Sequence, residues 1–397
     1  MAVGRRRWTY GLTANVVVLS VVSLFTDVSS EMILPILPFF LTQVLLANAL
    51  IVGLVEGLSD SVVSFMKIFS GRLSDAAGKR KRFVAAGYGL STAMKIFFPF
   101  ARSWPEFLGM RVLERTGKGV RDAPRDALLT ESTPPETRGK AFGFHRSMDT
   151  AGAIAGPLIT LALLATVAAS LSGAEAYRLV LLVAAIPAAI SVFIILLVRE
   201  PRQSRSVSQP LRVTFRGIPK PLLSFLAIAS LFSLADFSYA FLLLRAGVLF
   251  GTTEAILLYV LFNIVYAAHA FPAGILSDRV GRKPVVLIGY IAFIAMSSLL
   301  VVSGALVALI IAFILYGLSY GMAEGTQRAL VADYAPANLK ATVLGAYHTC
   351  VGVVKLASGL VAGLLFMIDP RATFAFGAIA AAFAAAALFL WKPLPRS

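Results

Sequence analysis

The residues best able to do chemistry lie between Arg111 and Asp126, in the run Arg-Val-Leu-Glu-Arg-Thr-Gly-Lys-Gly-Val-Arg-Asp-Ala-Pro-Arg-Asp. On a helix turning about 100° per residue, Arg115, Lys118, Asp122 and Arg125 project within roughly 40° of Arg111. Glu114 and Asp126 lie about 60° away and Arg121 about 80° away. Val112, Leu113, Thr116, Val120 and Ala127 take the opposite side. Charges of both signs on one helical face can hold an ionised solute, pass protons or lock helices together. A nucleophile–base set is not in view: His145, His269 and His348 are the only histidines, on separate segments and without His-Glu-x-x-His spacing. Cys350 is the only cysteine and sits too close to His348 along a helix to face it. No phosphate-binding Gly-x-x-x-x-Gly-Lys-[Ser/Thr] loop occurs. An enzyme, an ATP-driven pump, a cofactor and a metal site are therefore not expected.

The elements that carry these residues follow from composition. Of 397 residues, 58% are hydrophobic and 14% charged, against about a quarter charged in a soluble domain. That excess of apolar surface excludes a soluble globular protein and a disordered one, and a single cysteine excludes a disulfide scaffold. A net charge of +16 would suggest nucleic acid in a soluble chain. Here the basic residues alternate with apolar runs, and the aromatic residues do not interleave with a basic patch, so no nucleic-acid partner is expected.

About 20 apolar residues cross a bilayer as a helix. Twelve runs qualify, near 13–43, 47–70, 83–101, 104–131, 141–168, 177–198, 221–248, 254–276, 285–303, 305–332, 341–367 and 372–391. The apolar run after Met1–Arg7 is too long for a signal peptide and lacks a small-residue cleavage site, so it is read as the first span. With both termini cytoplasmic, the inner loops and ends hold 22 Lys and Arg, including Arg5–Arg7, Lys79–Arg82 and the arginines of 199–220. The outer loops hold 4, namely Arg102, Arg178, Arg245 and Arg371. That asymmetry sets the orientation. Ten further cations, including Lys67, Lys95, Arg111, Lys118 and Lys355, fall within spans or at their ends. Each costs several kcal/mol in hydrocarbon unless it meets a partner or water, so a polar interior is expected.

The chain repeats itself. Gly71-Arg-Leu-Ser-Asp75-Ala-Ala-Gly78-Lys-Arg80 follows the second run and Gly274-Ile-Leu-Ser-Asp278-Arg-Val-Gly281-Arg-Lys follows the eighth, 203 residues on. Ala127-Leu-Leu-Thr-Glu131-Ser-Thr-Pro134 is echoed by Ala329-Leu-Val-Ala-Asp333-Tyr-Ala-Pro336 at an offset of 202. A duplicated six-span unit follows: bundles at 1–198 and 221–397 joined by a basic linker at 199–220, a transporter architecture.

With the doubled Gly-x-Leu-Ser-Asp-x-x-Gly-[Lys/Arg]-[Lys/Arg] motif and the 6 + 6 layout, essentially the whole chain resembles the major facilitator superfamily. The resemblance implies an all-α membrane fold of twelve helices in two pseudo-symmetric bundles. It also implies a gating loop built on Gly71, Asp75, Gly78 and Arg80, with Gly274, Asp278 and Gly281 as its counterpart. A carboxylate such as Asp75 suits a helix N-terminus, and the glycines suit a tight turn. Gly152-Ala-Ile-Ala-Gly156-Pro157 is similar to the Gly-x-x-x-Gly-Pro motif of the family's drug–proton antiporters, although Leu158-Ile159-Thr160 departs from its continuation. Pro35-Ile-Leu-Pro38 resembles the family's Pro-x-x-Pro ending of span one. Arg111 matches the Arg of the span-four motif Arg-x-x-x-Gly-x-Gly, in which Arg115 replaces the first glycine and Gly117 matches the second. The resemblance also puts spans one, four, seven and ten around a central cavity.

At 1.5 Å per residue, Asp27 in the first run and Arg111 in the fourth reach the same depth, so the two are expected to pair, with Glu31 one turn from Asp27. These three and Asp236 of the seventh run are the expected proton-coupling and substrate groups. Arg121, Asp122, Arg125, Asp126, His145, Arg146 and Asp149 form a second expected cluster towards the cytoplasm, serving passage or an ion-paired inner gate. Glu324 and Arg328, four apart, are a secondary candidate pair. His269, His348 and Lys355 rank lower, and Glu56, Asp60 and Lys95 are a candidate buried network. The expected function is proton-coupled alternating access in the inner membrane by a monomer, exporting a small organic or amphipathic molecule by antiport. A proton-coupled importer of a polar or anionic metabolite and a lysolipid transporter remain the alternatives.

Overall fold

The computed structural model describes residues 12–167, 170–200, 218–336 and 339–392. The N-terminal arginines and most of the expected linker, residues 201–217, lie outside the described residues. Among the described residues the chain is helical and holds no strand. Its helices are α1 (Ala14–Ile33), α2 (Leu37–Phe39), α3 (Ala49–Ala77), α4 (Arg80–Phe97), α5 (Trp104–Glu131), α6 (Arg138–Val167) and α7 (Gly173–Ile195). They continue as α8 (Lys220–Ala235), α9 (Tyr239–Phe250), α10 (Thr252–Val280), α11 (Arg282–Val302), α12 (Leu306–Tyr334), α13 (Lys340–Ile368) and α14 (Pro370–Leu390). The protein is an all-α polytopic membrane protein. Eleven segments among the described residues are long and apolar enough to cross a bilayer, with α8 and α9 making one of them. The fourth expected span, α5, runs 28 residues, about 42 Å, but carries too many charges to count as apolar.

Two spans expected as continuous are broken, each for a local reason. Proline lacks an N–H and its ring crowds the preceding turn. Pro35 and Pro38 accordingly end α1 at Ile33, and the chain continues as the single turn α2 and a π-turn over Phe40–Val44. The seventh span breaks at Asp236, whose φ of −79° and ψ of 76° lie outside the helical region, and restarts at Tyr239 with the Ser238 hydroxyl accepting from the Ala240 N–H.

The chain forms two compact units. Unit one comprises Met1–Leu34, Met66–Ala101 and Gly109–Gln209; unit two comprises Pro35–Phe65, Arg102–Leu108 and Pro210–Ser397. The core of unit one gathers Val16, Leu19 and Val22 of α1 with Val84 and Tyr88 of α4, Leu128 and Leu129 of α5 and Ile195 of α7. In unit two, rings fill the centre: Phe232 stacks on Tyr290 at 3.7 Å, and Phe237 meets Phe241, Phe293 and Phe374.

Small residues decide which helices approach closely. On α6, Gly152, Gly156 and Thr160 recur every four residues and form one ridge. A Cβ on Gly152 would stand 2.9 Å from the Leu24 carbonyl oxygen and 2.9 Å from the Asp27 Cβ. On Gly156 it would stand 2.6 Å from the Glu31 Cβ and 2.7 Å from the Val28 carbonyl oxygen. One turn on, the Thr160 hydroxyl donates to the Met32 carbonyl at 2.9 Å. In unit two, Gly53 of α3 and Gly359 of α13 make the same kind of contact, each Cβ falling on the other's carbonyl.

Because backbone blocks the space at Gly156, Gly156→Leu should force α1 and α6 apart at a cost of about 1–3 kcal/mol, read as a lower Tm. Gly143→Ala, on the same helix with nothing near its Cβ, should leave Tm unchanged or raise it. Equal Tm for Gly156→Leu and wild type would contradict the close-contact account.

Candidate functional site

The α6 ridge determines where the acids of α1 sit. Gly152 abuts the Cβ of Asp27 and Gly156 abuts the Cβ of Glu31, so the backbone of α6 packs directly against both acidic residues of α1. Asp27 is half-buried and makes no hydrogen bond or ion pair among the described residues. The charges that act on it are Asp149 of α6, Lys118 and Arg125 of α5, and Glu31 of its own helix. Lys118 is likewise half-buried without a hydrogen bond or ion pair among the described residues, and Arg115, Asp122, Lys67 and Asp27 act on it. Asp27 thus lies within the electrostatic reach of cations of α5 and of acids on α6 and its own helix.

Arg111 is not the partner of Asp27. Its Nη1 donates to Glu114 Oε2 at 3.1 Å, one turn along its own helix, and Arg115 Nε lies 3.6 Å from the same oxygen. All three side chains are buried. Depth along a span does not fix azimuth, and Glu114 lies within reach of Arg111 on the same helix. The expected Glu56–Asp60–Lys95 network does not form either. Lys95, 1% exposed, donates to the Ser29 and Ser30 hydroxyls of α1 at 2.9 Å each. Those two serines were missed; their signal was adjacent hydroxyl side chains at 29 and 30 between the two acids of the first run, Asp27 and Glu31.

The second expected cluster divides among neighbouring helices. Arg121 lies over the Tyr88 ring at 4.5 Å and donates to the Ser91 hydroxyl at 2.9 Å, both on α4. Asp122 pairs with Lys67 of α3 at 2.9 Å. Arg125 grips Asp126 through Nε and Nη2, at 3.1 and 2.9 Å. On α6, His145 Nε2 stands 3.8 Å from Asp149 Oδ1, and Arg125, Asp126 and Arg146 all act on the imidazole. The close crossing of α4 on α5 depends on Gly87 and Gly117, each of whose Cβ would meet the other's carbonyl oxygen at 2.6 Å.

The repeated loop motif builds the same charge triad twice. In unit one, Arg80 joins Asp75 at 2.6 Å and Glu131 at 2.7 Å. In unit two, Arg282 joins Asp278 at 2.6 Å and Asp333 at 3.1 Å. Gly78 and Gly281 sit beside these ion pairs at φ of +60° and +95°, where a side chain would be strained. Gly71 and Gly274 lie one turn earlier in α3 and α10, within helix. The acids of the second sequence echo, Glu131 and Asp333, are therefore partners of the first. The arginine shifts by one position between copies: Arg282 aligns with Lys79, not with Arg80.

Asp236 sits at the break of the seventh span. Lys355 of α13 donates to its carboxylate at 2.6 Å and to its backbone carbonyl at 2.8 Å, satisfying a group that the broken helix leaves open. Two residues on, Ser238 donates to Glu56 of α3 at 3.1 Å. The neighbouring crossing is tight: a Cβ on Gly57 would meet the Lys355 carbonyl oxygen at 2.8 Å, and the Ser61 hydroxyl donates to the Gly352 carbonyl. Lys355, ranked low from sequence, proves to be the partner of the acid ranked high. Glu324 does pair with Arg328 and also accepts from the Tyr266 hydroxyl at 3.1 Å. His269 is spent on the Val265 carbonyl of its own helix. Among the described residues no group of His, Cys, Asp and Glu has the arrangement of a metal site.

Comparison with known proteins agrees with this fold. The sequence profile of the Major Facilitator Superfamily matches residues 19–253 and 223–397. An uncharacterized MFS-type transporter of Methanocaldococcus jannaschii is 37% identical over 377 residues, covering 93% of each chain. Among solved structures, the nucleoside transporter NupG superposes with a TM-score of 0.80 at 15% identity, covering 94% of this chain and 99% of that one. A D-xylose-proton symporter superposes with a TM-score of 0.73 at 14% identity, covering 96% and 97%. At such identities the two structures share the fold.

The Asp236–Lys355 pair gives a direct test of the break in the seventh span. Removing one partner of a mostly buried pair leaves an uncompensated charge and costs about 3–5 kcal/mol. Lys355→Met and Asp236→Leu should each lower Tm in detergent, and the double variant should recover much of the loss. A double variant as unstable as the sum of the singles would show that the two side chains do not act on each other.

Proposed function

The chain belongs to the Major Facilitator Superfamily, and from that premise we propose that it is a proton-coupled secondary transporter of a small organic solute, working by alternating access. Asp27 is the coupling group. One observation carries the reading: a half-buried carboxyl without a hydrogen bond or ion pair among the described residues, packed against Gly152 and acted on by Asp149, Glu31 and the cations Lys118 and Arg125. A carboxyl so placed exchanges a proton at little structural cost, and its charge state alters the field on the α5 stripe. Glu31, packed the same way against Gly156, is the second acid of the relay.

Export by antiport is the favoured direction. It is supported by the Gly152-x-x-x-Gly156-Pro157 motif, because the two glycines of that motif are the ones that bring α6 onto Asp27 and Glu31. In antiport, solute and proton compete for one site, and a carboxyl held by helix packing serves that competition. The second reading, symport of an anionic metabolite, is supported by Lys118, a cation of the interior with no ion-pair partner among the described residues. Both termini lie on the cytoplasmic face of the cell membrane in this proposal, as the distribution of Lys and Arg implies. The two loop triads then stand at that face and hold the short turns of each repeat, and the Asp236–Lys355 node lies nearer the opposite face. One chain suffices for the cycle, and the lipid bilayer is its only obligatory partner.

A thermal-stability panel of amphipathic cations, organic anions, sugars, amino acids and lysolipids, run at mildly acidic and mildly alkaline pH, identifies a binder. Flux of that binder into vesicles under an imposed pH gradient then tests the coupling. Asp27→Asn should keep the Tm of the wild type and lose the gradient-driven component, retaining solute exchange at equilibrium. Gradient-driven flux that persists undiminished in Asp27→Asn would overturn the assignment. Stabilisation greater at the higher pH supports antiport; stabilisation greater at the lower pH supports symport.

A further inference from the structure

The internal repeat runs without a gap along α5 and α12, which begin at Trp104 and Leu306, 202 residues apart. At that offset the charged stripe of α5 has a counterpart at every position: Glu114 aligns with Tyr316, Lys118 with Tyr320 and Asp122 with Glu324. Arg111 aligns with Phe313, and Arg115, which replaces a motif glycine, aligns with Gly317. Between Arg111 and Lys118 the face is thus ionic in one repeat and aromatic or glycine in the other, while Asp122 and Glu324 keep an acid in both.

The aromatic version is built with a second helix. Gly317 and Gly321 of α12 let α10 come close, since a Cβ on Gly317 would meet the Phe262 carbonyl oxygen at 2.8 Å and one on Gly321 the Ala270 nitrogen at 3.3 Å. Rings from the two helices then meet: Phe262 stacks on Tyr316 at 5.0 Å and 28°, and Tyr266 meets Tyr320 edge-on at 5.6 Å and 76°. Tyr259 continues the row beside Phe262. Plain core packing would be served by Phe or Leu, which bring no hydroxyl into an apolar interior. Here Tyr266 and Tyr320 are half-buried, each keeping part of its surface accessible, and the Tyr266 hydroxyl donates to Glu324. Tyr259, Asn263 and Tyr266 fall within about 60° of one another on α10. Asn263 is only 5% exposed, yet its Nδ2 has no hydrogen-bond acceptor among the described residues. A buried amide donor left open beside a row of rings is costly, and it suits a ligand that brings an acceptor.

We propose that the face formed by α10 and α12 in unit two recognises a planar aromatic or heteroaromatic ring of the transported solute. The half-buried rings of Tyr266 and Tyr320 stack on or edge against it, and the Asn263 amide donates to a ring or exocyclic acceptor. This rests on the transporter reading above and narrows it: the solute is a planar unsaturated molecule rather than a saturated sugar or an aliphatic acid.

The test uses the full chain in detergent and a matched probe pair, 1-naphthoate and decahydronaphthalene-1-carboxylate, which share charge and carbon framework and differ in planarity. Ring–ring contacts are worth about twofold to tenfold in affinity, so 1-naphthoate should bind tighter by that factor. Tyr266→Leu and Tyr320→Leu should bring the two probes to equal affinity, and Tyr266→Phe and Tyr320→Phe should keep the preference. Should a Leu variant fail to fold, the wild-type ratio and the Phe variants still decide. Equal affinity in the wild type, binding of neither acid, or a preference that survives both Leu substitutions overturns the ring site and leaves the coupling by Asp27 standing. A ring preference that persists where flux ignores the pH gradient upholds the ring site and overturns the coupling.

Discussion

The cost of placing ionisable side chains in hydrocarbon is the constraint on which the rest of the protein depends. A charge at the bilayer centre costs several kcal/mol unless it finds a partner or water, and α5 carries such charges along most of its 28 residues. Each of its neighbours is shaped to receive them. Ser91 and Tyr88 of α4 take Arg121, Lys67 of α3 takes Asp122, and Glu114 takes Arg111 within the helix. Lys118 and the carboxyl of Asp27 are left without an ion pair among the described residues, and they are the groups we propose for proton and solute.

Duplication supplied two copies of one scaffold, and the copies have kept different things. The loop triads are kept in both, Asp75–Arg80–Glu131 and Asp278–Arg282–Asp333, even though the arginine comes from a different motif position in each. Geometry is retained there while sequence drifts, as expected when three charges must meet at a turn and only the meeting point matters. The helical stripes diverged instead. At the repeat offset Glu114 and Lys118 align with Tyr316 and Tyr320, so charged side chains in one copy stand where the other has rings bearing hydroxyls. Glycine follows the same division: Gly152 and Gly156 seat acids in unit one, while Gly317 and Gly321 seat rings in unit two.

Much of this was legible in the sequence, because in a membrane the length of an apolar run and the period of the charges are both set by simple geometry. The helices fall where the apolar runs do, and the charges of α5 share one face as a 3.6-residue period requires. The doubled Asp and Gly motif pointed to the family before any coordinates. Pairings were less legible. Rise per residue suggested one level for Asp27 and Arg111, but Arg111 pairs with Glu114 on its own helix, and Asp27 forms no ion pair among the described residues. The partner of Asp236 was hidden because Lys355 lies 119 residues on and bonds a backbone carbonyl that exists as an open acceptor only once the helix breaks. The break itself has no proline to announce it. The aromatic face escaped notice because tyrosines at helical spacing read as core until the repeat is laid over them.

The central claim is that solute and proton share the carboxyl at Asp27, and proton counting on binding tests it most directly. The heat of binding of the tightest solute should be measured in two buffers at one pH, one of low and one of high ionisation enthalpy. Under this account the two heats differ, because binding moves a proton between protein and buffer, and the difference gives the number moved. Identical heats in both buffers, across mildly acidic and mildly alkaline pH, would mean that binding moves no proton and would contradict the coupling.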